Sequence, residues 1–217
     1  MKKKVIIVDD HPLMRKGLAL TLATEGGLDV CAQAESAEEA LEQLGDVNPD
    51  VAVVDISLPG MSGLELIKHL HIFNPTLKII VVSRHDEALY AERAIRAGAR
   101  GYVMKLEAGE VIVDAVNKVL MGGIYVSPEI NERLLMGMLS GKNTGAQSPL
   151  ELLSDRELEV FELTGHGMAT RDIAERLHLS VKTVESYRAR IKNKLSLQNA
   201  TELMQQAVQW IESVKAG

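Results

Sequence analysis

Four short apolar stretches of this chain each run directly into a residue that can do chemistry: Val5 to Val8 into Asp9 and Asp10, Val51 to Val54 into Asp55, Ile79 to Val82 into Ser83, and Gly101 to Met104 into Lys105. Short runs rich in Val and Ile, separated by segments of helical period, read as strands buried on both faces of a parallel sheet. In open α/β sheets, ligands gather outside the carboxyl ends of such strands. Three acids, a hydroxyl and an amine therefore meet at one edge. That set suits a divalent cation and a phosphoryl group.

The rest of the first half supports the same architecture. Helical patterns at Pro12 to Ala23, Ala37 to Leu44, Gly63 to His71, Glu87 to Ala97 and Gly109 to Met121 alternate with the four strands and a fifth around Asp29 to Ala34. Regular βα alternation predicts a doubly wound, five-stranded parallel sheet with right-handed crossovers and helices on both faces. The alternation stops at Gly122-Gly123. Beyond it, Pro128 to Leu139 is helical in pattern, and Ser140 to Pro149 (SGKNTGAQSP) has the composition of a flexible linker. After Pro149 every period is helical: Asp155 to Gly165, opened by the capping box Ser154/Glu157, then Thr170 to Leu177, Val181 to Lys194 and Asn199 to Ser213. The chain reads as an α/β domain over 1–124, a linker with a helix over 125–149, and a four-helix domain over 150–217.

Composition narrows the classes. Apolar residues make up 46% of the chain and aromatic ones only 3%, so both cores must be built from aliphatic side chains. One cysteine, Cys31, excludes an internal disulfide and fits a reducing compartment; in the strand around Val30 it reads as a small hydrophobe. No apolar run approaches the ~20 residues that span a bilayer. The apolar segment after the basic start stops at Asp9, too soon for a signal peptide, so a cytoplasmic protein that uses no membrane is expected. The net charge of −6 argues against nucleic acid until it is divided by segment. Residues 1–127 carry −5, whereas Ser180 to Lys194 carries +4, with Lys182, Arg188, Arg190, Lys192 and Lys194 against Glu185.

The acidic edge has a definite chemistry. Mg²⁺ takes oxygen ligands and keeps several waters, so two carboxylates and a carbonyl suffice to hold it. An Asp carboxylate can attack phosphorus to give an aspartyl phosphate, with Lys and a hydroxyl holding the phosphoryl oxygens. Asp55 stands alone after the most apolar strand and before Ile56-Ser57-Leu58-Pro59-Gly60, whose Pro and Gly favour a tight turn, so it is the expected nucleophile. The pair Asp9 and Asp10 suits the metal. Any one of these acids could instead cap the following helix; all the positions together are poorly explained that way. The six histidines, His11 and His85 among them, show no metal-ligand spacing and read as solvated or locally hydrogen-bonded.

Val8-Asp9-Asp10-His11-Pro12, Asp55-Ile-Ser-Leu-Pro-Gly-Met-Ser-Gly63, Ser83 and Gly101-Tyr-Val-Met-Lys105 resemble the receiver domain of two-component response regulators, over about the first 125 residues. The resemblance implies a flavodoxin-like fold and a set of roles. Asp55 corresponds to the phosphoacceptor, Asp9 and Asp10 to the Mg²⁺ acids, Ser57 to a metal ligand through its carbonyl, and Lys105 to the phosphate-binding lysine. Ser83 and Tyr102 correspond to the switch pair, in which the aromatic rotamer follows the hydroxyl. The implied reaction is phosphoryl transfer from a phosphohistidine of a sensor histidine kinase, with slow hydrolysis afterwards. Two positions depart from the family pattern: Arg84 stands where a small residue is frequent, and Leu106 where Pro is frequent.

In the second domain, Thr170 to Leu177, a turn at His178-Leu179-Ser180, and Val181 to Lys194 have the spacing of a helix-turn-helix. Ile173, Ala174, Leu177, Val181, Val184 and Ile191 are expected to pack the pair. Residues 152–210 resemble the LuxR-type DNA-binding domain, through Leu153-Ser-Asp-Arg-Glu157, Gly167, Ile173-Ala174 and Lys182-Thr-Val-Glu185. With the receiver, this is the pattern of NarL/FixJ-type regulators. The resemblance implies double-stranded promoter DNA as partner, with Glu185, Ser186, Ala189 and Arg190 toward base edges and Lys182, Thr183, Tyr187, Arg188, Lys192 and Lys194 toward phosphates. Leu203, Ala207, Val208 and Ile211 form a stripe on the last helix, part of which is a candidate homodimer contact when the protein is phosphorylated.

Two rivals weaken on the residues present. An aspartyl-phosphate hydrolase typically needs a second Asp two residues after its nucleophile, and that position is Ser57. A protein-binding adaptor does not account for the +4 helix.

Overall fold

The computed structural model describes residues 2–139 and 149–216. The chain divides into two compact units, Met1–Leu134 and Leu135–Gly217; most of the expected tether, residues 140–148, lies outside the described residues.

In the first unit, β1 (Lys4–Val8), β2 (Asp29–Ala34), β3 (Val51–Val54), β4 (Lys78–Ser83) and β5 (Gly101–Met104) form one parallel sheet in the order β2-β1-β3-β4-β5. Helices α1 (Pro12–Thr24), α2 (Ala37–Gln43), α3 (Gly63–Phe73), α4 (Glu87–Ala97) and α5 (Ala108–Leu120) alternate with the strands. The continuous apolar runs are explained by burial: β3 is buried at every residue, and β4 at all but Lys78. The order of strands reverses between β1 and β3, which opens a crevice at their carboxyl ends. Val8 and Val54 are in register there, and the Asp55 amide donates to the Val8 carbonyl at 2.8 Å.

Local signals start the helices. Pro12 stands in the first turn of α1, Ser36 caps α2, and Ser62 with Glu65 makes a capping box on α3. Gly63 has a further role: a Cβ there would stand 1.8 Å from the Asp55 carbonyl oxygen, so only glycine lets α3 begin this close to the end of β3.

The first unit runs to Leu134. Tyr125 accepts from the Tyr102 amide at 2.8 Å and donates to the Arg100 carbonyl at 2.9 Å, so the chain leaving α5 is tied to β5. Helix α6 (Pro128–Leu139) then starts against α4. Glu87 accepts from the Ser127 amide at 2.8 Å, Arg133 donates to the Ala88 carbonyl at 3.3 Å, and Ile130 is buried.

The second unit holds a 3₁₀ turn (Pro149–Leu152), α7 (Asp155–Gly165), α8 (Thr170–Arg176), α9 (Val181–Lys194) and α10 (Ala200–Ala216). Ser154 and Glu157 form the expected capping box, and Ser180 caps α9. Ile173, Ala174, Leu177, Val184 and Ile191 are buried as expected. Val181 is not: it is 44% exposed, since the first residue of α9 projects from the helix end rather than onto its packed stripe. Leu203, Ala207 and Ile211 close the core against α7, where Gly165 lets the Ala207 carbonyl approach and Phe161 meets Trp210 with ring centroids 5.5 Å apart. Val208 is half-buried. Among the described residues, no helix is long and apolar enough to cross a membrane.

Candidate functional site

The strand ends bring the acidic residues together in the β1/β3 crevice. Asp9, Asp55 and Ser83 are buried, and Asp10 is half-buried. Lys105 reaches back from the end of β5, and its ammonium lies 2.7 Å from Asp55 Oδ2 and 2.8 Å from Asp9 Oδ2. The Asp9 carboxylate also accepts from the His11 amide at 2.8 Å, and Arg15 donates to the Asp9 carbonyl. Burial pushes the Asp55 carboxyl above its ordinary value; Lys105 pulls it back, while Asp9 and Asp10 push it further up. Such a carboxylate is poorly solvated, one requirement of a nucleophile.

The hydroxyl side of the crevice is organised by a residue the sequence reading passed over. His85 is 7% exposed and neither solvated nor only locally bonded. Its Nε2 is 2.8 Å from Ser57 Oγ, its ring meets Tyr90 at 4.4 Å, and its amide donates to Ser83 Oγ at 3.2 Å. Its carbonyl accepts from the Tyr102 hydroxyl at 2.8 Å, and Tyr102 is itself buried. His85 thus touches Ser57, Ser83 and Tyr102. Its position in the turn two residues beyond Ser83, where the strand paired with β3 ends, is the available signal.

The donor set fits a hard divalent cation. Asp9, Asp10 and Asp55 each offer a carboxylate oxygen, and these atoms together with a His11 nitrogen lie within 4.8 Å of one another. In this arrangement the Lys105 ammonium already serves as counter-charge to two of the three acids.

The second candidate surface is α9. Lys182, Glu185, Ser186, Ala189 and Arg190 are exposed on it, with Thr183, Tyr187 and Lys192 half-buried. Thr183 is engaged at the helix start, its Oγ1 2.7 Å from Ser180 Oγ, and Arg190 lies over the Tyr187 ring at 5.9 Å. Two residues expected toward phosphates are engaged by partners within the domain. Arg188 donates to Thr164 Oγ1 at 3.2 and 3.3 Å and to Thr170 Oγ1 at 2.5 Å, which braces α9 against α7 and α8. Lys194 pairs with Glu157 at 2.6 Å and donates to the Leu152 carbonyl at 2.9 Å, closing the start of α7. Arg188 is half-buried by its bonds, whereas the Lys194 side chain stays 39% exposed.

The Glu157 pairing gives a pH signature. Burial alone would raise this carboxyl, but Lys194 and the Ser154 amide and hydroxyl outweigh it and hold it below its ordinary 4.5. A depressed folded value stabilises above the unfolded value and is lost as pH falls through the folded one. Glu157→Gln should cost about 1 kcal/mol near neutrality. Melting curves of both chains from pH 7 to 3.5 should converge as the pH drops below 4.5; a gap unchanged across that range would remove the ion pair as its source.

Both halves match known families. Residues 5–117 match the response regulator receiver domain, and residues 151–207 match the bacterial regulatory proteins of the luxR family. The response regulator GacA of Pseudomonas syringae pv. syringae (strain B728a) is 36% identical over 205 residues, 94% of this chain and 95% of that protein. This chain is a response regulator of the NarL/FixJ type. The response regulator is also 38% identical to the transcriptional activator protein ExaE of Pseudomonas putida over 207 residues, 94% of this chain and 95% of that protein. Among solved structures it is similar to RcsB from Salmonella enterica serovar Typhimurium bound to promoter rprA in the presence of the phosphomimetic BeF3−, with a TM-score of 0.61 and 26% identity over 94% of this chain and 98% of that one. The response regulator therefore joins a receiver to a LuxR-type DNA-binding domain, as its sequence implies.

Proposed function

We propose that this response regulator accepts a phosphoryl group on Asp55 from a phosphohistidine of a sensor histidine kinase, and that the phosphorylated form dimerises and binds promoter DNA in the cytoplasm. The observation that carries the reading is Lys105 set between Asp55 and Asp9 at the switch point of the sheet, with Ser83 buried beside them. An Asp55 oxygen attacks phosphorus as the phosphorus–nitrogen bond breaks, and the electron pair leaves with the imidazole. Lys105 then holds a phosphoryl oxygen. Asp9, Asp10, Asp55 and the Ser57 carbonyl would hold Mg²⁺, which when bound neutralises the phosphoryl oxygens. Ser83 gives up the His85 amide to donate to the phosphoryl group, and Tyr102, bonded to the carbonyl of the same His85, follows.

In the DNA-binding domain, the exposed Glu185, Ser186, Ala189 and Arg190 face base edges, while Lys182, Thr183, Tyr187 and Lys192 face phosphates. RcsB was solved on a promoter with a phosphomimetic, which supports coupling of the two halves. The test is fluorescence anisotropy on promoter fragments selected by the protein itself, over a range of salt, before and after treatment with acetyl phosphate and Mg²⁺. Treatment should tighten binding, and Lys182→Ala should lower the salt slope by about 0.9 for one lost phosphate contact. Affinity indifferent to treatment would overturn the control, and an unchanged slope would overturn the role of Lys182.

A further inference from the structure

A nitrogen donor faces the acidic crevice beside the carboxylates. His11 follows the two acids directly, and the bond from its amide to Asp9 Oδ1 fixes where its side chain begins. Its Nδ1 lies 2.5 Å from Asp10 Oδ1 and 3.5 Å from Asp9 Oδ1. The side chain as a whole is 40% exposed, yet Nδ1 is shielded from solvent, so the ring turns this atom inward. A His11 nitrogen and one oxygen each from Asp9, Asp10 and Asp55 lie within 4.8 Å of one another, and Nδ1 is the nitrogen placed against Asp9 and Asp10. That is the spread of the donors around one small cation.

We propose that His11 Nδ1 is a direct ligand that makes this pocket a mixed nitrogen and oxygen site, selective for first-row transition-metal ions over Mg²⁺; the proposal rests on reading the crevice as a cation site. Mg²⁺ takes oxygen ligands and gives up its waters reluctantly, so it gains nothing from an imidazole. Mn²⁺, Co²⁺, Ni²⁺ and Zn²⁺ accept imidazole readily, with affinity for a given nitrogen-containing set rising along that series to Ni²⁺. An ion of this kind replaces one water by Nδ1 while keeping the carboxylates of Asp10 and Asp55. The acids set the charge of the site, and His11 sets which ion it prefers.

The experiment uses the full-length chain. Loaded with MnCl₂, it is examined by pulsed electron paramagnetic resonance for a directly bound ¹⁴N, and binding of NiCl₂, CoCl₂ and MgCl₂ is measured by titration calorimetry. His11→Ala and Asp10→Asn are carried through both measurements. The expected result is a ¹⁴N coupling in the wild type that His11→Ala abolishes, with Ni²⁺ affinity falling about tenfold or more and Mg²⁺ affinity unchanged within error. Bound Mn²⁺ without a ¹⁴N coupling, a coupling that survives His11→Ala, or equal losses for Ni²⁺ and Mg²⁺ would overturn it. If Asp10→Asn leaves binding of every ion intact, it is the cation-site reading itself that fails.

Discussion

Asp55→Asn is expected to abolish covalent labelling by acetyl phosphate and Mg²⁺ and, at the same time, to raise the melting temperature of the receiver. The first effect is all or none, because an amide oxygen is no nucleophile toward phosphorus and the other acids are committed elsewhere. Asp9 carries the contact to Lys105, and Asp10 faces His11. The second effect follows from burial. The folded protein holds the Asp55 carboxyl above its ordinary 3.8, so folding disfavours the charged form. For an acid with a raised folded value, the cost is absent below the unfolded value, grows as pH rises between the two, and is complete above both. Asn removes the charge without removing volume, and Lys105 keeps Asp9 as its partner. A gain on the order of 1 kcal/mol, or about 4 °C, is expected near neutral pH, shrinking as the pH falls toward 4. Mass spectrometry and thermal melts read the two effects separately: a phosphorylated Asp55→Asn chain would remove Asp55 as acceptor, and a lowered melting temperature would show that its charge stabilises the pocket.

Arg188→Ala should weaken DNA binding without touching its salt dependence. Three guanidinium donors engage the hydroxyls of Thr164 and Thr170, tying the middle of α9 to the end of α7 and the start of α8. Burial pushes this guanidinium down from its ordinary value, the mark of a cation facing protein rather than solvent. Truncation removes all three bonds and leaves the buried Thr164 hydroxyl with its own donation to the Val160 carbonyl alone. The loss of stability should be about 1–3 kcal/mol. Affinity falls because α9 is less firmly held, whereas no counterion is released at this position, so the slope of log affinity against log salt stays that of the wild type. A slope reduced by the same amount as in Lys182→Ala would return Arg188 to the phosphates.

The contrast between those residues shows where sequence stops speaking. Asp9, Asp55, Ser83 and Lys105 were legible because a buried parallel strand fixes where it ends, and a polar residue at that end has nowhere to go but the crevice. The alternation of strands and helices was legible for the same reason. Helical period assigns Arg188 and Lys194 to a face of α9 but not to a partner, and a long side chain beside the packed stripe can fold back onto it. Val181 shows the related error at a helix end, where the period no longer says what is covered. His85 was passed over because its partners Ser57 and Tyr102 lie 28 and 17 residues away. The two bonds tying Tyr125 to β5 leave no mark in composition.

The stretch from Ser83 to Ala88 is held at both ends. Ser83 belongs to the crevice, and Glu87 and Ala88 carry the two bonds to the beginning of α6. Six residues therefore link the crevice hydroxyl to the two contacts that α4 makes with the start of α6. Close-packed interiors transmit strain, so a displacement of the Ser83 hydroxyl is expected to be felt at Glu87 and Ala88. An insertion in this turn would leave the crevice residues where they are and shift the two contacts to α6.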